Sequence, residues 1–201
     1  MELSGVALGL LESASIAGGV RAADEVIKTA PVELVEACPI SPGKFLVILT
    51  GGVAEVEASL DAGRRVVGTD LVDELFLAFV HPTVAPAIQR RGVGDEWDEA
   101  IAVVETRTVA AAIVGADAAV KTARVRLLEI GPGVGIGGKG FLTLTGSVSD
   151  VEAAAEAARG PIDRRGAHVR TEVLAGPDTV LARRVARGLT KRNGERLGEE
   201  G

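Results

Sequence analysis

The stretch "KFLVILTGGVAEVEA", Lys44 to Ala58, is written a second time as "KGFLTLTGSVSDVEA", Lys139 to Ala153, at a shift of 95 residues. Upstream the chain stays in step with itself at a shift of 93. Glu12, Ala17, Ala23, Asp24, Lys28, Thr29, Ala30, Val32, Leu34 and Glu36 fall on identical residues from Glu105 to Glu129. Two residues inserted ahead of Lys139 account for the change of shift. The match extends to the end of each copy, where Pro82 in "VHPTV" lies over Pro177 in "AGPDT". A repeat of this length is a duplicated domain and sets the architecture before any other feature does. The expected domains are 1–92 and 93–189, joined through the acidic stretch "RGVGDEWDEA" around Trp97. The polar, charged segment 190–201, "TKRNGERLGEEG", is expected to be disordered.

Each copy carries the same pattern of elements. An apolar β-type run (Val6 to Leu11; Ile101 to Val104) meets a polar cap, Ser13 or Thr106, and then a helical period. That period puts Ile16, Val20, Ala23 and Ile27 on one face of the first copy, and Val109, Ile113, Ala116 and Val120 on one face of the second. Two strands follow, joined by a glycine-bearing loop. A second helix opens at Thr50-Gly51-Gly52 or Thr145-Gly146-Ser147, where Ser147 and Asp150 have capping-box spacing. A last strand (Leu71 to Val80; His168 to Leu174) and a short helix complete the order βαββαβ. The predicted class is α+β, with helices flanking an antiparallel or mixed sheet in each of two tandem domains.

Composition narrows what such a protein does. Of 201 residues 47% are hydrophobic but only 2% aromatic, with no tyrosine. A core of Ala, Val, Leu and Ile buries little area per residue, which favours further burial between subunits. The net charge of −6 argues against nucleic acid as a partner. One cysteine excludes a disulfide framework or a cysteine-rich metal site and suits a reducing cytosol. No apolar run reaches the roughly 20 residues that span a bilayer, and no basic segment precedes the first apolar run. The expectation is a soluble intracellular protein that needs neither membrane nor nucleic acid.

The loop "GPGVGIGGKG", Gly131 to Gly140, resembles a phosphate loop from Gly133 onward. Gly133, Gly138 and Lys139 fit that pattern, but Gly140 stands where a hydroxyl would bind magnesium. The residues after Lys139 read as a strand, whereas a phosphate loop feeds a helix N-terminus. The matching loop of the first copy, "PISPGKF", keeps Gly43 and Lys44 and offers no phosphate cradle. Two other readings remain open: a hairpin turn with a solvated lysine, or a loop kept free of side chains because several copies crowd one symmetry axis.

The segments "GLLESASIAGGVRAADEVIKTAPVELVE" and "VVETRTVAAAIVGADAAVKTARVRLLE", each followed by a Gly-Lys loop and a T-G-x-V-x-x-V helix start, resemble the bacterial microcompartment shell domain. The resemblance covers nearly the whole chain and is close to the tandem-domain, single-layer type. It implies a homotrimer forming a flat pseudohexamer that tiles a shell facet beside hexameric, trimeric and pentameric vertex shell proteins. It also implies a central pore for small polar or anionic metabolites, no catalysis, no cofactor and no metal. The pore-lining residues would be Ile40, Ser41, Pro42 and Gly43 from the first copy, and Gly133, Val134, Gly135, Ile136, Gly137 and Gly138 from the second. Lys28, Lys121 and His81 would make tile-edge contacts.

Three departures bear on that assignment. Where cluster-bearing relatives place a cysteine at the loop tip, this chain has Ser41, with Cys38 three residues earlier. The Arg-Pro-His turn of the family is replaced by "VHPTV" and "AGPDT". The two pore loops differ in length by two residues. Lys44 and Lys139 are expected to add positive potential near the pore. Glu12 and Glu105, equivalent by duplication, read as structural and not as a catalytic pair. Trp97 is expected to pin the two copies together. A metabolite-sensing βαββαβ module and a nucleotide-using enzyme built on the second loop are the competing functions.

Overall fold

The computed structural model describes residues 6–90 and 96–190; the expected tail from 191 onward and part of the linker lie outside them. The first half runs β1 (Val6–Ser13), α1 (Ile16–Thr29), β2 (Glu33–Ile40), β3 (Lys44–Gly52), α2 (Val53–Val67), β4 (Leu71–Leu77) and α3 (Val84–Gln89). The second runs β5 (Ala100–Thr106), α4 (Val109–Thr122), β6 (Arg126–Gly131), β7 (Gly140–Gly146), α5 (Val148–Arg164), β8 (His168–Ala175) and α6 (Thr179–Ala186). Each half is a four-stranded sheet, in the orders β2-β3-β1-β4 and β6-β7-β5-β8. All pairings are antiparallel.

Alternation along β1 decides the layers. Ala7 and Leu11 point to the pair α1–α2 and pack with Val26, Val56 and Leu60. Leu8 and Leu10 point to the opposite face, where Val35, Val84 and Ala87 meet them. In β5, Ala102 and Val104 face α4 and α5, while Ile101 and Val103 face α6.

The helices start at Ile16 and Val109, where the apolar pattern begins, but their caps lie two residues beyond the expected Ser13 and Thr106. Ser13 and Thr106 end their strands, and the caps are Ser15, which accepts from Gly18 N, and Thr108, which accepts from Ala111 N. Ser13 Oγ instead braces the turn by donating to Ser15 O at 3.1 Å. The cap at Ser147 forms as read, its hydroxyl accepting from Asp150 N at 3.2 Å.

The two copies differ by compensating volume swaps. Phe45 lies against Gly19 so closely that a Cβ there would meet its ring carbons at 2.7 Å. At the same two places the second half has Gly140 and Ala112. Conversely Phe141 covers Gly131, where the first half has Leu46 and Cys38. In close-packed cores such swaps keep total volume. α5 is two residues longer than α2 (17 against 15), so the register of the last strand shifts again. β1 pairs Ser13 with Leu71 and β5 pairs Thr106 with His168. Pro177 therefore matches Val80 in space, and its alignment with Pro82 is superseded.

Trp97 does not join the copies. It packs on Ile101, Leu128, Ala182 and Val185, all in the second half. The join is made elsewhere. α3 of the first half lies on β6 and α4 of the second, and one apolar cluster runs through both, from Leu8 and Val84 to Val109 and Ile113. Polar ties flank it. His81 N donates to Asp117 Oδ1 at 2.8 Å, and Lys121 Nζ donates to Phe79 O at 2.9 Å. Arg165 donates to Asp73 at 2.6 Å. Glu129, fully buried, pairs with Arg90 at 3.7 Å and accepts from the amides of Leu189 and Thr190 at 2.6 and 3.2 Å. Thr190, counted by sequence with the loose tail, is thus held in place. No described helix is long and apolar enough to cross a membrane.

Candidate functional site: the paired glycine loops and the seam

The β2–β3 and β6–β7 loops belong to different sheets yet touch. A Cβ built on Gly138 would lie 2.4 Å from Ser41 O and 3.7 Å from Lys44 Nζ. With φ of +79°, Gly138 also holds a backbone conformation that side chains disfavour. Both reasons require glycine, so the approach of the two loops is written into the chain. Beyond this contact the second loop stands clear. Val134, Gly135, Ile136 and Gly137 are exposed, as are Pro42 and Gly43, and Ser41 is half-buried. β7 starts at Gly140, directly after Lys139; the loop feeds a strand and not a helix, which removes the phosphate-loop geometry.

The structure shows how the residues expected at the loops are placed. Ile40 is a core residue of β2, packed among the buried side chains of the first sheet. Gly133 and Gly138 are likewise buried at the loop base. Lys44 and Lys139 do not leave free positive charge near the loops. Lys44 Nζ donates to Glu12 at 2.5 Å and Lys139 Nζ to Glu105 at 2.6 Å. Each lysine ties its loop back to the first strand of its own sheet. Glu12 is fully buried and needs this counter-ion. Sequence reasoning had the duplicated glutamates and the duplicated lysines, and the repeated pairing was the signal that could have joined them.

Cys38 also lies in the core. Burial, with Glu36 adding to it, pushes its thiol up to about 12, so at neutral pH it is protonated and a poor ligand. Among the described residues no group of three His, Cys, Asp or Glu could hold a metal ion.

The seam between the halves holds two of the three residues expected at the tile edge, Lys121 and His81. Lys121 is held by Asp117 (2.6 Å) and Phe79 O, and the His81 ring bonds Thr83 Oγ1 at 2.8 Å while its amide holds Asp117. Among the described residues Lys28 pairs with Asp24 alone, at 2.6 Å, which raises its pKa through their hydrogen bond. The difference reflects a general asymmetry. In α4 the face Val109, Ala110, Ile113, Asp117 is buried, with α3 and β4 of the first half lying against this helix and His81 N donating to Asp117. The identical face of α1 is bare, with Ile16 45%, Val20 53% and Ile27 48% exposed. At the far end of the chain Val180 and Leu181 of α6 are exposed as well.

The duplicated chain thus buries the face of α4 and leaves the equivalent face of α1, and the end of α6, exposed. The BMC domain family matches residues 7–82 and 100–177. The shell protein PduT of Citrobacter freundii is 38% identical over 90% of this chain and 98% of its own length. The carboxysome shell protein CcmK2 of Synechococcus elongatus is 36% identical over 38% of this chain and 78% of its own. A microcompartment protein of Desulfitobacterium hafniense superposes with a TM-score of 0.85 at 41% identity, covering 89% of this chain and 98% of that one. A fused, permuted hexameric shell protein of the RMM microcompartment shares the fold, with a TM-score of 0.59 at 21% identity over 82% and 87% of the two chains. The chain belongs to the BMC-domain family of bacterial microcompartment shell proteins, as a tandem member with two domains. The family is structural and not enzymatic, and nothing in these relatives favours a metabolite-sensing regulator.

Proposed function

We propose that three copies of this chain close head to tail into a ring of six domains. The ring tiles the facet of a microcompartment shell in the cytoplasm and carries a metabolite pore on its axis. The observation that carries this reading is the matched pair of helix faces. What the first half does for α4 inside one chain, the second half of a neighbour does for α1 between chains. Closure brings three copies of each loop to the axis, where Ser41, Pro42, Gly43, Val134, Gly135, Ile136 and Gly137 line the opening. Backbone amides and a hydroxyl favour small polar or anionic solutes over large apolar ones. Selectivity rests on these dipoles, because the neighbouring lysines are neutralised by their glutamates. Lys28 and Lys121 lie at the outer ends of the seams, where they meet neighbouring tiles. His81 supports that rim through its hold on Asp117. Domain bounds of 1–92 and 93–189 fit this plan, and hexameric, other trimeric and pentameric vertex shell proteins are the partners.

Electron microscopy of the purified protein tests the proposal. A tile forms extended sheets, or enters closed shells when produced with the other shell proteins. Isolated particles under every condition would refute it.

A further inference from the structure

A buried ion pair crosses the internal seam, and both of its members are written twice. Glu129, fully buried at the bulge of β6, takes its charge partner from the other half, with Arg90 Nε 3.7 Å from Glu129 Oε1. Its amide donors, Leu189 and Thr190, come from its own half. Glu36 stands at the equivalent bulge of β2, at the shift of 93 that holds in this part of the repeat. Arg187 is the counterpart of Arg90. Leu8 and Ile101, equivalent by the same shift, pair with Leu77 and Leu174, so the last strands correspond at a shift of 97. That shift carries Phe79 to Gly176, which share a left-handed backbone with φ of +56° and +59°. It carries Arg90 to Arg187, and each arginine is the C-cap of its terminal helix.

Inside one chain Arg90 reaches Glu129 because α3 of the first half lies on β6 of the second. In a head-to-tail ring α6 takes the same place on β2 of the next chain, which brings Arg187 to Glu36. Charge along the two elements agrees. Where α3 presents Pro86, Ala87 and Arg90, α6 presents Arg183, Arg184 and Arg187, all exposed. Where β6 has Arg126 and Glu129, β2 has Glu33 and Glu36. The internal seam can be largely apolar because the chain itself keeps its halves at high effective concentration. A seam between separate chains must also select its partner and orientation, and complementary charge does that. Glu36, half-buried in the single chain, is enclosed further when α6 covers β2 and then requires a counter-ion, as Glu129 does.

We propose that Arg187 of one chain pairs with Glu36 of the next, as the intermolecular copy of the Arg90–Glu129 pair. Each chain gives one arginine and receives one, so the pair fixes the head-to-tail order. The partner is a second copy of this chain, presented by its C-terminal helix. The inference rests on the ring proposed above and adds the side chains that select the neighbour.

Sedimentation equilibrium of full-length variants tests this. Glu36→Arg and Arg187→Glu each set like charges face to face and should weaken every seam by more than about a hundredfold, giving single chains with parent-like circular dichroism. The double variant Glu36→Arg/Arg187→Glu restores opposite charges and should recover the trimer. An equimolar mixture of the two single variants should recover it only in part, because a ring of three always keeps one seam with like charges. If Glu36→Arg does not fold, Arg187→Glu decides alone, since that side chain is exposed in the single chain. The proposal is overturned if Arg187→Glu is as trimeric as the parent, or if the double variant folds but stays dissociated. Either result, beside a trimeric parent, leaves the ring standing, whereas a parent that sediments as single chains overturns both. Full recovery in the mixture would uphold the pair and replace the ring of three by an even-numbered assembly.

Discussion

Replacing Val20 by Asp separates folding from assembly. Full burial of a Val, Leu or Ile side chain stabilises by about 1.5–3 kcal/mol. Ile16, Val20 and Ile27 are each about half exposed, so covering them contributes about 1 kcal/mol apiece and about 3 kcal/mol per seam. Val20→Asp forfeits about 1 kcal/mol of that. It also obliges a carboxylate to lose water without a partner, which adds several kcal/mol. A loss of about 4 kcal/mol lowers the association constant of each seam about a thousandfold. Sedimentation velocity at micromolar concentration should therefore show single chains with parent-like circular dichroism. The same change at Ile113, its counterpart in α4, should instead abolish folding, because that position is fully buried inside the chain. If Val20→Asp sediments as the parent does, the α1 face is not the seam and the head-to-tail reasoning fails.

Other expectations follow from named contacts. Lys28→Asp should leave the secondary structure and oligomer unchanged but stop sheet formation in micrographs. Lys121→Asp, set beside the buried Asp117, should lower Tm as well; sheets formed equally well by both variants would remove these lysines from the rim. Glu129→Ala strands Arg90 and two amides, and the loss of one partner of a buried pair costs about 3–5 kcal/mol, readable as a shifted denaturant midpoint. Cys38 should resist iodoacetamide at pH 8 in the native protein. Its thiol pKa rises on folding, so above the ordinary value of 9.0 the unfolded chain loses a proton that the folded chain keeps up to about 12. Stability should then fall as pH climbs through that window, and Cys38→Ala should flatten this part of the pH profile.

The sequence made the duplication legible because identities such as Asp24/Asp117 and Lys28/Lys121 survive in place, and the βαββαβ order followed from it. The loops were legible as a pair, but their contact through Gly138 and Ser41 was not, since it joins two sheets across a distance in sequence. The burial of Ile40 was not legible, because strand alternation near a loop tip does not reveal which side is core. Periodicity found the same apolar face on α1 and α4. Only the fold tells which of them the chain itself covers. Trp97 was misassigned for a related reason: a linker aromatic can pack on either neighbour, and the strand order put the second sheet beneath it.

Native mass spectrometry of the untagged protein tests the central claim most directly. The account predicts one dominant species of three 20.6 kDa chains, resolved as a six-lobed ring in class averages. A monomer, or a two-fold dimer that pairs α1 with α1, would contradict it.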